Sequence, residues 1–118
     1  MSNIVPKKIL SISFYKQENG KEPVRDWIKS LKKNERRILG EDIKMVQEGW
    51  PLGMPLVGNL GKGLWEIRST FANTIARVLF VMYEGQMVLL HGFIKKTQKT
   101  PLQDLEIGIK RAKAVRGG

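Results

Sequence analysis

Two neighbouring stretches of the sequence hold side chains suited to chemistry on a phosphate group. Arginine and lysine bind phosphate oxygens and stabilise the charge that develops when a phosphate reacts, and a carboxylate can transfer a proton. One set of such residues falls within predicted strands, and a second set follows the last of those strands. The sheet charges are Glu66, Arg68 and Arg77, and the lysine segment contributes Lys95, Lys96 and Lys99.

RNA is a substrate that such a set could cleave, because its own 2′-hydroxyl attacks the adjacent phosphorus. The protein must help to remove the 2′ proton, stabilise the charged transition state and protonate the departing 5′ oxygen. Arginines would serve the second task, and a carboxylate, a histidine or a lysine would serve the other two. A lysine acts as a base only where neighbouring positive charge favours its neutral form, and the lysine segment provides such neighbours.

The composition also favours a polyanionic partner. The 118 residues include 21 Lys and Arg against 11 Asp and Glu, a net charge of +10. Residues 61–100 carry 6 basic and 2 acidic side chains, so positive charge there is poorly compensated. Nucleic acid, an acidic protein and an anionic membrane are the partners that this charge fits, and a basic domain with no such partner is the alternative.

Cysteine and histidine usage narrows the chemistry further. There is no cysteine, which excludes disulfides, thiolate nucleophiles and the common structural zinc sites. The single histidine, His91, argues against a histidine metal site, so we expect no metal and no cofactor. No signal peptide and no run of about 18 apolar residues is visible, so we expect a cytoplasmic protein without a membrane partner.

Hydrophobic periodicity and turn residues predict a single α+β domain over residues 1–118. A strand at Ile9–Tyr15 precedes a helical hairpin, with helices at 23–32 and 34–48. A loop rich in Gly and Pro follows at 49–63, with room for a short extended piece at Leu56–Leu60. Three strands and a last helix complete the chain, at Leu64–Ser69, Thr74–Tyr83, Gln86–Phe93 and Pro101–Val115. The predicted order is β-α-α-β-β-β-α, a mostly antiparallel sheet with helices packed on it.

Strand parity places the sheet charges on one face. A four-residue hairpin loop at 70–73 would pair Glu66 with Arg77, and a two-residue turn at Glu84-Gly85 would set Arg77 opposite Gly92. A buried arginine needs a carboxylate or a phosphate. Two interpretations follow: a Glu66–Arg77 pair that only supports the sheet, or a phosphate site beside the gap that Gly92 leaves.

The same register puts His91 on the opposite face, across from Val78. A histidine there is more often packed than catalytic, although a bulge could turn it towards RNA. Residues 100–103 predict a capping box with Pro101 at the first helical position, so a helix N-terminus would add its dipole to the lysine segment. Lys62 and Arg111 are further candidate RNA-binding cations.

Three segments carry a resemblance that covers nearly the whole chain in element order. They are Gly63–Arg68, Ala76–Phe80 and the distinctive Leu90–Pro101 with the helix after it. Together they resemble the RelE/HigB superfamily of toxins, most closely its phage-derived branch. The resemblance implies a RelE-like fold and an mRNA-cleaving endoribonuclease from a type II toxin–antitoxin pair. Such toxins cleave mRNA on the ribosome and inhibit translation, and a co-expressed antitoxin, often a HigA-like helix-turn-helix protein, blocks them.

The resemblance also implies roles for individual residues. Arg68 and Arg77 match the sheet arginines that contact the scissile phosphate, and Glu66 lies where some members place a carboxylate. The lysine segment matches the basic patch after the last strand. Some members use a tyrosine at the end of the last strand, but this sequence has no tyrosine after Tyr83. His91 and a lysine therefore both remain candidates for the proton-transfer group. Two alternatives keep the basic surface without the chemistry: a nucleic-acid-binding module on the same fold, and a component that binds an acidic protein.

Overall fold

Three helices and five strands make up the part of the chain that the structure, a computed structural model, describes: residues 10–51, 53, 56–95 and 99–117. The α+β class is confirmed. The elements are β1 (Ser11–Phe14), α1 (Pro23–Ser30), α2 (Lys33–Gly49), β2 (Val57–Gly61), β3 (Leu64–Thr70), β4 (Ile75–Tyr83), β5 (Gln86–Lys95) and α3 (Leu102–Val115).

The strands form one mixed sheet in the order β1-β5-β4-β3-β2. Only β1 runs parallel to its neighbour, β5, and the other pairings are antiparallel. The predicted order was wrong by one element, because β2 adds a fifth strand where an extended piece of the loop was expected. Gly58, Asn59 and Gly61 interrupt its apolar alternation, so backbone pairing with β3 rather than side-chain pattern defines this edge strand.

The helices cover both faces of the sheet. Between α1, α2 and one face lies a core that includes Val24, Leu39, Val46, Val78 and Phe80. Between α3 and the other face lies a second core that includes Leu64, Leu79, Val81, Leu90 and Ala112. Within the described ranges, no helix combines the length and apolar character needed to cross a membrane.

Two glycines allow the helices to approach the sheet closely. A Cβ on Gly108 of α3 would lie 2.7 Å from Leu79 Cδ1, so this helix rests directly on β4. A Cβ on Gly92 of β5 would lie 2.3 Å from Cε3 of Trp27, so the α1 indole fills that space. The expectation that Gly92 leaves a gap beside Arg77 was therefore wrong, since Gly92 faces α1.

The β3–β4 hairpin has a four-residue loop, but at 71–74 rather than 70–73. Thr70 pairs with Ile75, and the buried Phe71 donates its N–H to the Thr74 carbonyl at 2.8 Å. The shift places Arg68, not Glu66, directly opposite Arg77. Because the loop moved by one residue at both ends, side-chain parity is unchanged and the sheet charges share one face, as predicted.

The β4–β5 hairpin begins as predicted, with Glu84 and Gly85 at φ of 50° and 77° and Tyr83 paired with Gln86. A bulge then changes the register, since Phe80 pairs with Leu89 but Leu79 pairs with His91. The extra residue, Leu90, reverses the parity of the strand beyond it. As a result Arg77 lies opposite Phe93, and His91 lies on the Arg77 face rather than the opposite one.

The start of α3 also differs from the prediction. Pro101 is the N-cap residue rather than the first helical one, and no side chain caps the helix. The Thr100 hydroxyl, expected to cap α3, instead donates to Glu66 of β3. A buried carboxylate competes successfully for this hydroxyl because a charge-assisted hydrogen bond is stronger than one between neutral groups.

Candidate functional site

Glu66 is the centre of a charged cluster between the sheet and the start of α3. Its Oε1 accepts hydrogen bonds from Arg68 Nε at 2.8 Å and Arg77 Nη1 at 3.1 Å. Its Oε2 accepts from Thr100 Oγ1 at 2.6 Å, and Arg77 Nη1 also donates to Thr100 Oγ1 at 3.4 Å. We call these four residues the Glu66 cluster. Two guanidinium groups on one carboxylate leave the cluster with a net positive charge.

Exposure divides the three charged members of this cluster. Glu66 and Arg77 are 0% exposed, whereas the Arg68 side chain is 23% exposed. In a medium of low dielectric constant, either charge alone would have an unfavourable free energy. That cost keeps a buried ion pair of this kind together. Glu66 and Arg77 therefore hold Arg68 in place, and Arg68 is the guanidinium that reaches solvent.

The register arranges the surrounding side chains in three rows across β3, β4 and β5. The rows are Glu66–Leu79–His91, Arg68–Arg77–Phe93 and Thr70–Ile75–Lys95. Residues directly opposite one another in an antiparallel pair project from the same face. The central row thus holds both arginines, with a histidine in the row on one side and a lysine in the row on the other.

His91 forms a second polar pair on this face. Its Nε2 lies 2.7 Å from Oδ1 of Asp104, in the first turn of α3, and the two side chains are 16% and 14% exposed. The imidazole also stacks on Phe93, with ring centroids 5.4 Å apart and planes at 26°. Thr100 and Asp104 therefore join the start of α3 to the two ends of the first row, Glu66 and His91.

The lysine segment is described only in part. Lys95 ends β5 and is exposed, and Lys99 is exposed just before α3. Lys96 lies outside the described residues, together with Thr97 and Gln98. Lys95 and Lys99 thus lie on either side of residues 96–98, at the end of β5 and just before α3.

The two remaining predicted RNA-binding residues lie away from the Glu66 cluster. Lys62 is in the β2–β3 turn, at φ 56°, where its carbonyl accepts from Arg116 Nη2 at 3.3 Å. Arg111 joins α3 to the sheet, donating to the Leu90 carbonyl at 2.8 Å and lying over the Tyr15 ring at 5.2 Å. Burial lowers the pKa of Arg111, and the electrostatic effect of Tyr15 opposes that shift.

Sequence reasoning missed two residues of this site, Thr100 and Asp104. Thr100 was assigned to the helix cap because a Thr before a helix normally plays that part. Asp104 carried a usable signal, since a carboxylate in a first helical turn is favoured by the helix dipole. Its hydrogen bond to His91 depends on the bulge at Leu90, and no turn residue in the sequence indicates that bulge. Among the described residues, no three His, Cys, Asp or Glu side chains lie together as a metal site would require.

The fold and site define a small basic α+β domain whose last helix covers a carboxylate–arginine cluster. Residues 26–113 match the family described as Phage derived protein Gp49-like (DUF891), which is most of the chain, so the protein belongs to this family. It is a family of the RelE/ParE-like toxin type, associated with the toxins of toxin–antitoxin systems. No curated protein matches the chain.

Proposed function

We propose that this protein is the toxin of a type II toxin–antitoxin pair, an endoribonuclease of RelE-like fold that cleaves mRNA on the ribosome and so inhibits translation. The observation that carries the proposal is the Glu66 cluster, in which a buried carboxylate and a buried arginine hold the partly exposed Arg68 on the sheet face. The toxin-type family and the net charge of +10 support the same conclusion.

Arg68 is the residue that binds the scissile phosphate in this proposal. A guanidinium fixed in advance by a carboxylate loses little conformational entropy when it binds an anion, and it needs no rearrangement as charge develops. Arg77, directly opposite Arg68 on β4, contributes positive charge and fixes the carboxylate of Glu66. Lys95, Lys96 and Lys99 would hold the flanking phosphates of the RNA. The reaction is attack by the 2′-hydroxyl on phosphorus, and it requires no metal ion.

The proposed partner in the cell is a cognate antitoxin, a HigA-like helix-turn-helix protein that blocks toxicity. A strongly basic toxin would attract an acidic segment of such a protein by the same charge that attracts RNA. A neighbouring reading frame that encodes a small helix-turn-helix protein would support this pairing. Co-expression of that protein should then restore growth to cells that express the toxin.

Expression in a bacterial host tests the toxic activity. We expect growth arrest, and we expect Arg68→Gln to abolish it while the purified variant stays folded. Arg37→Gln is the matched control, because Arg37 is an exposed arginine of α2 that pairs with Glu41 at 3.2 Å. Absence of arrest, or full toxicity of Arg68→Gln, would contradict the proposal. Arg77→Ala is a poorer test, because it leaves a buried carboxylate short of a partner.

A non-catalytic nucleic-acid-binding module is the second candidate function. The observation that favours it is the complete burial of Glu66 and Arg77, since a pair that supports the sheet requires no catalysis. The two functions differ in one measurement. A binding module would retain intact RNA, whereas the proposed toxin would return cleaved RNA from the same incubation.

A further inference from the structure

The His91–Asp104 pair lies on the same sheet face as the Glu66 cluster, and the proposed roles of the arginines and lysines do not use it. We propose that His91 is a catalytic residue that accepts the 2′-hydroxyl proton of RNA, and that Asp104 is the residue that positions its ring. This inference rests on the proposed function, because it supplies the proton acceptor that an RNA-cleaving site needs.

The hydrogen bond to Asp104 determines which nitrogen of the ring is free. An ionised carboxylate can only accept, so Nε2 carries the proton that Asp104 Oδ1 accepts at 2.7 Å. In the neutral ring the lone pair is then on Nδ1. Within the described ranges no hydrogen bond engages Nδ1, and the side chain is 16% exposed. The ring is therefore arranged as a base whose partner carboxylate would stabilise the charged form after proton transfer.

The position of His91 fits that role. Neighbouring strands lie about 4.8 Å apart, so the backbones of β3 and β5 are about 10 Å apart across β4. Arg68 projects from β3 and His91 from β5, in adjacent rows of one face. Side chains from these two strands can converge on a single nucleotide, with the phosphate at Arg68 and the 2′-hydroxyl towards His91.

Water is the only other molecule that this reaction needs. Nδ1 takes the 2′ proton as the bond from the 2′ oxygen to phosphorus forms and the bond from phosphorus to the 5′ oxygen breaks. The departing 5′ oxygen takes a proton from water, and the imidazolium returns its proton to the hydroxide that remains. The products are a 2′,3′-cyclic phosphate and a 5′-hydroxyl end.

A structural role is the competing explanation, because the same hydrogen bond ties α3 to β5. Added imidazole separates the two explanations, since it can replace a missing base but cannot restore a missing link between elements. A substrate with sulfur in place of the scissile 5′ oxygen separates base from acid. Sulfur leaves without a proton, so this substrate rescues a variant that lacks the general acid and does not rescue one that lacks the base.

The experiment measures single-turnover cleavage of a short mRNA on ribosomes by the full chain. We expect His91→Ala to lower the rate by about 100-fold or more with RNA affinity unchanged, imidazole to restore part of it, and the sulfur substrate not to restore it. Asp104→Asn should lower the rate by about 10-fold or more, because the amide can donate to Nε2 and so favour the tautomer whose proton lies on Nδ1. Lys44→Gln, on α2 across the sheet, should cleave at the wild-type rate.

Three outcomes would overturn the inference while leaving the proposed function intact. They are wild-type cleavage by His91→Ala, a loss that imidazole does not restore at all, and rescue by the sulfur substrate. If the wild-type protein leaves the mRNA intact under these conditions, the proposed function itself fails and the inference fails with it.

Discussion

Arg77 of β4 and Glu66 of β3 form an ion pair with both side chains 0% exposed, Nη1 lying 3.1 Å from Oε1. The pair is not directly cross-strand, because Arg77 lies opposite Arg68 and reaches Glu66 diagonally. The same carboxylate oxygen accepts from Arg68, so the buried pair sets the position of a guanidinium at the surface. Stability and the proposed phosphate binding are therefore linked through a single carboxylate.

Removal of Arg77 should destabilise the fold. We expect Arg77→Ala to lower the free energy of unfolding by about 3–5 kcal/mol, because it leaves the Glu66 carboxylate buried without its buried partner. Urea denaturation measures the change. The double variant Glu66→Leu/Arg77→Met should recover most of the loss, since apolar side chains of similar size need no ion pair. A loss below about 1 kcal/mol in Arg77→Ala would show that the ion pair does not support the fold.

The hydroxyl of Thr100 should matter more than its methyl group. Thr100→Val keeps the shape of the side chain but removes the donor to Glu66 Oε2, so we expect a loss of about 1–3 kcal/mol in the free energy of unfolding. Thr100→Ser retains the hydroxyl and should cost much less. Thermal unfolding of the two variants side by side makes the comparison, and equal stability of both would contradict the assigned hydrogen bond.

Two Gly→Ala variants should have opposite effects. Gly92→Ala places a Cβ 2.3 Å from the Trp27 ring, and we expect a loss of about 1–3 kcal/mol from overpacking. Gly40→Ala meets nothing within 4 Å in α2, and better helix propensity should stabilise it by about 0.5–1 kcal/mol. Chemical denaturation gives both values, and a neutral Gly92→Ala would contradict the close packing of α1 on β5.

Binding to single-stranded RNA should weaken steeply with salt, because bound RNA releases counterions. If Lys95 contacts one phosphate, Lys95→Gln should reduce the slope of log K against log salt by about 0.7. Lys44→Gln should leave the slope unchanged, since Lys44 lies on α2 and pairs with Glu48 at 3.9 Å. Fluorescence anisotropy with a labelled RNA oligonucleotide gives both slopes, and identical effects of the two variants would indicate only a general charge effect.

Local patterns were enough to predict most elements of this fold. Helical spacing of apolar residues located α1 and α2 within two residues at each end, and Glu84-Gly85 fixed a hairpin turn. Pairings between distant segments were less accessible. The parallel pairing of β1 with β5 joins residues more than 70 positions apart, and β2 lacks an apolar alternation that would identify it.

The site could be predicted only as far as the sequence showed which face of the sheet each side chain occupies. The sheet charges share a face because the β3–β4 loop shifted symmetrically and kept its length. His91 was assigned to the wrong face because the Leu90 bulge changes the count beyond it, and a bulge depends on packing that a single strand does not encode. The Thr100–Glu66 hydrogen bond was missed for a related reason, since it joins groups 34 residues apart.

Direct cleavage of mRNA tests the central proposal most directly. The purified protein is incubated with a 5′-labelled mRNA, free and on ribosomes, in buffer that contains EDTA, and the ends of any fragments are identified. The proposed mechanism predicts fragments from the ribosome-bound mRNA with 2′,3′-cyclic phosphate and 5′-hydroxyl ends, and no fragments with Arg68→Gln. Intact mRNA that is nevertheless bound by the protein would contradict it and would favour the non-catalytic binding module.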